Sequence, residues 1–405
     1  LSFGVVALVF ALVDQLLLAV LPLWGEQSIV ALYGEGYGPG LLGFAWTLAF
    51  NLAIVFLSYA LVVLHGRVGK APFLLGLLAF GLLAFVLVPT VFQVVPGAAD
   101  AAGAALLPAL GFTAHGIDLA NPIALFAVVP IVLTVFVWPT TAAPGNEYGT
   151  GTWFNWVKTY SALAGCLGFM ALRFVKWRGA DGTTHYLYEK RWALCFPPLI
   201  LAVNIAEAVI RDFQVFSFGL WQGGVVENLW TMSGPWNIMN GIAGILNIVT
   251  ICGWFGIFIS KDSSKDMIWP DMIWAWIIAY DLWNFAYTYN CISDHSAYAG
   301  LALLLACTIP TFFIKKGAWL QHRAQTLGLW IMFVMTVPQF ADVLAPIPTT
   351  HNPTVFFVVS LLALASNVAL AVYQFRRIRQ RKLNPLKDEL YADTKAYQRV
   401  VEENR

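Results

Sequence analysis

Runs of about 20 predominantly apolar residues recur along almost the whole chain, and each is long enough to cross a lipid bilayer as a helix. Hydrophobic residues make up 59% of the chain and charged residues only 11%, against about 25% charged residues in soluble domains. A water-soluble core cannot account for so much apolar surface. We therefore predict an all-α fold, a polytopic transmembrane helix bundle of about eleven segments. These lie near residues 3–24, 41–64, 72–95, 121–139, 154–174, 193–213, 236–259, 271–290, 297–314, 325–345 and 354–375.

Charge and cysteine usage exclude several classes of protein. The net charge of +1 leaves no basic face for a nucleic acid, so we expect no nucleic-acid partner. The five cysteines form no CxxC pair, and most of them fall within apolar runs, which indicates small buried hydrophobes and not a zinc site or a disulfide framework. The six histidines lie at segment ends or in loops, where they do not suit haem. We expect neither a metal nor another cofactor.

Lysine and arginine in the short loops predict the orientation. Basic residues gather in the loops at 173–191, 261–265 and 315–323, and in the tail from Arg376. These positions alternate correctly if the last seven spans start outside and finish in a cytoplasmic tail. The basic loop "HGRVGK" between the second and third spans also favours the inside, but counting spans from it then places the 173–191 loop outside. We therefore expect a broken or re-entrant element within 95–151: either the stretch from Ala101 crosses the membrane, or the run at 121–139 enters and returns.

A shift in composition near residue 150 divides the chain. Residues 1–150, rich in Ala, Leu, Val and Gly, are predicted to form an N-terminal transmembrane unit of about four apolar segments. Residues 151–375 form a seven-span transmembrane unit, and 376–405 a charged cytoplasmic tail that contains a short surface helix.

Polar side chains in three of the predicted spans are three or four residues apart, which places those of each span on one helix face. They are Asn204, Glu207 and Arg211 in the 193–213 span, Asn237, Asn240 and Asn247 in the 236–259 span, and Asp281 and Asn284 in the 271–290 span. Asp342 lies near the outer end of the 325–345 span. We expect these nine residues to converge on one ligand- or ion-binding cavity that opens outward.

Ionisable groups within transmembrane segments normally face the bundle interior, where they are paired or hydrated. Glu207 precedes Arg211 by four residues, so a local ion pair is expected. Asp281 has no basic residue in its own span, so its partner comes from another span or it holds a proton. Lys158 is expected to reach the membrane interface. The alternative is that these one-sided rows of polar residues, which we call polar stripes, only pack helices through interhelical hydrogen bonds. We favour this alternative for the stripe from Asn237 to Asn247.

Two consecutive stretches resemble a bacterial family of multi-pass membrane proteins of unknown function. They are "GIAGILNIVTICGWFGIFIS" and "MIWPDMIWAWIIAYDLWNFAYTYNCISDHSAYAGLALLLACTIPTFF". The resemblance covers roughly 153–345. It implies the cytoplasmic (inner) membrane of a bacterium, but neither an activity nor site residues.

Three functions remain open. The first is a cation- or proton-linked transporter or channel for a small solute, in which Asp281 and Glu207 bind the ion or proton and the asparagines contact the solute. The second is a non-catalytic membrane subunit or sensor, in which the polar stripes only pack and a partner subunit or second copy docks. The third is a membrane-embedded enzyme acting on a lipid or lipid-linked substrate, for which no catalytic motif is found. All three imply contact with membrane lipids.

Overall fold

Two of the long helices begin at residues whose side chains cap the first turn. Thr152 Oγ1 accepts the backbone N–H of Asn155 (3.2 Å), and Asn352 Oδ1 accepts that of Thr354 (2.8 Å). Such caps satisfy N–H groups that the first helical turn leaves free. The computed structural model describes residues 124–405 except 263, 344–346 and 348, and this part of the chain is mostly helical with a few short strands.

The long helices of the described part alternate in direction. They are α1 (Trp153–Phe174), α2 (Phe196–Ser217), α3 (Pro235–Val249), α4 (Trp274–Cys291), α5 (Leu303–Phe313), α6 (Trp319–Thr336) and α7 (Pro353–Arg381), followed by α8 (Lys395–Asn404) in the tail. Shorter α-helices are Val129–Val132, Trp138–Thr141 and Arg191–Leu194, and π-helical turns are Ala124–Val128, Leu133–Val137 and Ser296–Ala302. Single 3-10 turns are Leu187–Glu189, Trp254–Gly256, Ser293–His295 and Pro338–Phe340.

Three antiparallel two-stranded hairpins lie in the connections. They are β1 (Lys176–Arg178) with β2 (Thr184–Tyr186), β3 (Gly224–Val226) with β4 (Leu229–Thr231), and β5 (Phe258–Ile259) with β6 (Met267–Ile268). Glu227 and Asn228 join β3 to β4, and both have positive φ (54° and 62°), as a tight two-residue turn requires.

Helix α4 is the centre of the bundle. It packs against α2, α3, α5 and α7, while α1 packs between α2 and α6. Backbone contacts of α4 with α1 and α6 are sparse. Most side chains of α4 are nevertheless buried, including Tyr280 and Trp283, which are fully enclosed.

Three helical stretches are long and apolar enough to cross a membrane: Arg191–Ser217, Ser293–Phe313 and Pro353–Arg381. The predicted spans at 3–24, 41–64 and 72–95 lie outside the described residues, as do the stretch from Ala101 and most of the N-terminal unit. Of the predicted 121–139 segment, residues 124–139 are described, and they belong to one helical run of alternating α and π turns that ends at Thr141.

Five of the other predicted spans correspond to helices with ends shifted by a few residues, but two are wrong in extent. Helix α3 ends at Val249, ten residues before the predicted end, since Gly253 takes the left-handed conformation (φ 66°) and starts an irregular loop. Helix α6 begins at Trp319, not at 325. Hydropathy placed Gln321, His322 and Arg323 in a basic loop, whereas the helix buries all three inside the bundle.

The loops at one end of the bundle contact each other and the tail, and we call this end the tail end (175–190, 250–273, 314–318 and 382–405). Arg173 Nη2 donates to the backbone oxygen of Ser264 (2.8 Å), and Lys315 pairs with Asp262. Lys316 pairs with Glu403 of α8 (2.6 Å). The basic segments expected on one side of the membrane thus lie at one end of the molecule, with the exception of Arg323.

Two acids at the tail end have shifted pKa values in opposite directions. Burial raises the pKa of Asp271 to about 6, although its carboxyl group accepts the backbone N–H groups of Leu390 and Tyr391 (both 2.9 Å). Burial acts in the same sense on Asp262, but hydrogen bonds from Lys315 and two serines outweigh it and lower the pKa of that carboxyl group. Asp271 therefore holds the tail against the bundle.

The opposite end, the mouth end (142–152, 218–234, 292–302, 337–343 and 349–352), contains aromatic and histidine contacts between its segments. The rings of Trp230 and His351 stack at 3.7 Å between centroids, and His351 Nε2 lies 2.7 Å from Asp294 Oδ1. Asp342, which was expected near the outer end of its span, pairs here with His295 (3.0 Å).

Candidate functional site

A cavity of about 90 Å³ lies between α1, α4, α6 and the segment that leads into α5. One face of α6 lines it, because Arg323, Leu327, Trp330 and Val334 are three or four residues apart. At the rise of an α-helix, this face extends roughly 16 Å from Arg323 towards the mouth end. Tyr148 lines the cavity at the mouth end. The volume is enough for several water molecules or a small solute.

Arg323 is the least satisfied cation of this cavity. Its side chain is buried (5% exposed), and its hydrogen bonds are long: Nε to Tyr280 Oη at 3.4 Å and Nη2 to Asn284 Oδ1 at 3.3 Å. Nη1 has no hydrogen-bond partner among the described residues. Asp281 interacts with the guanidinium electrostatically but forms no direct ion pair with it. A buried guanidinium normally uses more of its five donors.

Lys158 of α1 is the second cation that lines the cavity, and it is fully paired. Its Nζ lies 2.9 Å from Glu207 Oε2 and donates to the backbone oxygen of Asn204 (2.7 Å). Ser161 Oγ donates to the same oxygen of Glu207 (3.1 Å) and accepts from Asn204 Nδ2 (3.3 Å). Lys158 is thus buried between α1 and α2, and the expectation that it reaches the interface is wrong.

The expected ion pair between Glu207 and Arg211 is also replaced. Arg211 pairs with Glu227 in the β3–β4 turn (2.9 Å) and donates to Gln214 Oε1 (2.9 Å). A spacing of four residues makes a pair between Glu207 and Arg211 geometrically possible. Each side chain instead pairs with a residue from another element, Glu207 with Lys158 and Arg211 with Glu227.

A second polar cluster joins α2, α3 and α4 around Asp212, which is fully buried. Asn240 Nδ2 donates to Asp212 Oδ2 (2.7 Å), and Asn237 Nδ2 donates to Oδ1 (3.4 Å). Cys291 Sγ donates to Oδ1 as well (3.4 Å). We call these four residues the Asp212 cluster. Both carboxyl oxygens have partners, and three helices are tied together.

Asp281 faces α5. Thr308 Oγ1 donates to its Oδ2 (2.8 Å) and in turn accepts from Trp319 Nε1 (3.0 Å). Its partners therefore come from other helices, as the sequence suggested. The amide of Asn247 is fully buried, and neither its oxygen nor its nitrogen has a partner among the described residues.

The nine predicted residues are thus distributed over several environments. Asn284 lines the cavity, and Asn204 lines a smaller one of about 30 Å³ that also includes Arg323. Asn237 and Asn240 belong to the Asp212 cluster. Glu207 contacts a cavity cation without lining the cavity. The remaining four, Arg211, Asn247, Asp281 and Asp342, lie elsewhere, as described above.

Arg323, Lys158 and Asp212 were missed as site residues. Arg323 continues, with Leu327, Trp330 and Val334, a helical spacing that reaches the second turn of α6, and this spacing could have indicated it. Asp212 shares a helix face with the buried Leu201, Ile205 and Ala208, and a carboxyl group at such a position is a signal in itself. Within the described ranges, no three His, Cys, Asp or Glu side chains are close enough to hold a metal ion.

Comparison with known proteins yields one match. The model of a family described as a family of unknown function (DUF5692) matches residues 117–403. No curated protein matches the chain, and no solved structure does.

Proposed function

The chain belongs to DUF5692, a family of unknown function, and we propose that it is a membrane carrier that moves a small solute through the cavity beside Arg323. In this proposal the full chain crosses the inner membrane of a bacterium in about eleven segments and ends in the cytoplasm. The outer face of α7, where Val358, Leu361 and Leu362 are exposed, contacts lipid.

The observation that carries the proposal is the combination of space with an unsatisfied charge inside a helix bundle. Membrane proteins keep ionisable groups in their interior at a considerable cost in free energy, and such groups usually mark a pathway or a binding site. Lys158, Asn284 and Arg323 bring three polar side chains from three helices to one cavity whose other walls are mainly apolar. This composition is typical of small-molecule sites.

The two acids expected to bind a proton or cation each act on one of the cavity cations. Glu207 is the counter-ion of Lys158, and Asp281 interacts electrostatically with Arg323. Protonation of either acid would make the cavity more positive, and so would change its affinity for a charged solute. This supports a proton- or cation-linked carrier in which the acids tune the cavity instead of lining it.

A second candidate is a non-catalytic membrane subunit or sensor. The Asp212 cluster favours it, because that cluster is buried and its carboxyl group is fully hydrogen-bonded, as polar residues that only pack helices should be.

The two candidates differ in what happens when the cavity is filled. We would reconstitute the purified protein in liposomes and measure uptake of a panel of small neutral, anionic and cationic metabolites. Ala299 lines the cavity, and Ala299→Leu should abolish the uptake of any transported solute. Ala369→Leu, the same change on the exposed face of α7, should leave uptake unchanged. If no solute is taken up, or if Ala299→Leu transports as well as the wild type, the carrier proposal is wrong.

A further inference from the structure

We propose that the cavity selects a small monocarboxylate, which it binds through Arg323. This inference rests on the proposed function in that it takes the same cavity as the solute site. It adds the sign of the charge, the number of charges and the size of the solute.

The sign follows from the charges around the cavity. Lys158 is already neutralised by Glu207 at 2.9 Å, whereas Arg323 has no carboxylate in direct contact among the residues described. His295 also lines the cavity, and it is paired with Asp342. Arg323 is therefore the cavity cation without a direct counter-ion, since Asp281 interacts with it electrostatically but not in direct contact. An anionic guest would neutralise the Arg323 guanidinium, and a cationic guest would be repelled by it.

The geometry of Arg323 favours a carboxylate among the anions. Its Nη1 lacks a partner, and its bonds to Tyr280 and Asn284 are at the long end of the hydrogen-bond range. A planar guanidinium with free donors binds a carboxylate through two parallel N–H···O bonds. The guest would replace weak contacts with strong ones.

The charge count and the volume limit the guest further. With only one direct charge left to compensate, a dianion such as hydrogen phosphate would bring a surplus negative charge into an apolar enclosure. The wall beyond Arg323 is formed by Leu327, Trp330 and Val334, which suits a short apolar chain. A cavity of about 150 Å³ accommodates benzene, so one of about 90 Å³ fits a carboxylate of only a few carbon atoms.

The experiment compares ligands of equal shape on the wild-type protein in detergent by isothermal titration calorimetry. Propionate is the probe, propionamide is its neutral isostere, propylammonium supplies the opposite charge, and inorganic phosphate supplies the dianion. We expect propionate to bind about 10- to 100-fold more tightly than propionamide, as hydrogen bonds to a charged group imply. Tighter binding of propionamide, propylammonium or phosphate, or no binding of propionate, would overturn the inference.

Variants assign the selectivity to Arg323. Arg323→Gln should remove the preference for propionate over propionamide, and Arg323→Lys should retain part of it, since a lysine keeps the charge but loses the two-pronged geometry. If neither variant folds, the wild-type comparison decides alone. An unchanged preference in a folded Arg323→Gln protein contradicts the assignment. The carrier proposal is judged separately by the Ala299→Leu uptake: uptake of a neutral or cationic solute that Ala299→Leu blocks would sustain the carrier and refute the anion.

Discussion

The Asp212 cluster joins α2, α3 and α4, whereas the cavity at Arg323 lies between α1, α4 and α6, and the two regions treat their buried charged group in opposite ways. Around Asp212 of α2, donors from α3 and α4 satisfy both carboxyl oxygens. Around Arg323, the bonds are long, one nitrogen has no described partner, and there is empty space. Burial alone is similar in the two regions, since Asp212 is fully buried and Arg323 is 5% exposed.

A packing cluster and a candidate binding site therefore differ in whether the buried charged group has direct partners, more than in polarity or depth. A satisfied polar cluster adds specificity to helix packing. A buried charge without a direct counter-ion costs free energy, and a bound ligand of opposite charge would supply the missing partner. Stability, packing and pH measurements on single-residue variants test this distinction.

Replacing the centre of the satisfied region should have the largest effect. Asp212→Ala removes the acceptor for Asn237, Asn240 and Cys291 and leaves these donors buried without partners. We expect a loss of about 2–4 kcal/mol in the free energy of unfolding, measured by denaturant titration in detergent. Asp181→Ala is the control, because this exposed carboxylate accepts hydrogen bonds only from Thr183 in its own turn, and its loss should cost less than about 1 kcal/mol. Equal stability of Asp212→Ala and the wild type would show that the cluster does not hold the helices together.

Glycine substitutions compare how tightly side chains pack near the Asp212 cluster and near the smaller cavity beside Arg323. A Cβ at Gly244 of α3 would lie 2.4 Å from Val209 Cγ2 and 2.7 Å from Trp283 Nε1, so Gly244→Ala should cost about 1–3 kcal/mol. A Cβ at Gly165 of α1, which lines the smaller cavity, would have its nearest neighbour at 3.7 Å. Gly165→Ala should therefore be neutral, or stabilising by up to about 1 kcal/mol through helix propensity. Thermal unfolding of both variants measures the contrast, and the same sign for both would contradict it.

Removing the unsatisfied charge should change stability little. Arg323→Met replaces a poorly partnered buried cation with an apolar chain of similar length, and we expect the free energy of unfolding to stay within about 1 kcal/mol or to rise. The matched control is Arg173→Met at the tail end, where the guanidinium donates to the backbone oxygens of Ser264 and Lys265; this change should destabilise clearly. A large loss for Arg323→Met would mean that Arg323 is structural.

We expect the weakest effect for the pH dependence of tail docking at Asp271. Because burial raises the pKa of Asp271 to about 6, the folded protein holds this proton more tightly than the unfolded chain does. Its stabilising contribution is complete below the ordinary carboxyl pKa and is lost as pH rises through about 6. Glu389 and Arg377 are the charged groups nearby.

We therefore expect limited proteolysis to release the tail a few-fold faster at pH 7.5 than at pH 5, with Asp271→Asn reducing the difference. If the pH dependence persists in Asp271→Asn, another group governs tail docking, and pH effects on ligand binding would need that group removed first.

Much of the helical architecture was predictable because it depends on local properties. The runs at 154–174, 193–213, 271–290 and 354–375 each contain a helix of nearly the expected extent. The start of α6 was not predictable from hydropathy, because Gln321, His322 and Arg323 resemble a loop when averaged, although the bundle buries them. The family resemblance is confirmed and extends further in both directions than expected, over residues 117–403.

The candidate site was less predictable than the fold. Polar stripes correctly indicated that α2, α3 and α4 turn amides and acids inward, and Asn237 and Asn240 do meet a carboxyl group. That group is Asp212, however. Two of the three long helices around the cavity, α1 and α6, lack a polar stripe of the kind found in α2, α3 and α4.

Most of the helical stretches, and the inward orientation of most of their polar residues, follow from apolar length and residue spacing, which are properties of each segment alone. The partner that each charged group receives depends on how the helices pack together. Glu207 could pair with Arg211 one turn away, yet Lys158 from another helix lies against it, and Arg323 is left without a direct counter-ion among the described residues. Charge pairing in a low-dielectric interior depends on distances between helices, and these are fixed only when the bundle packs.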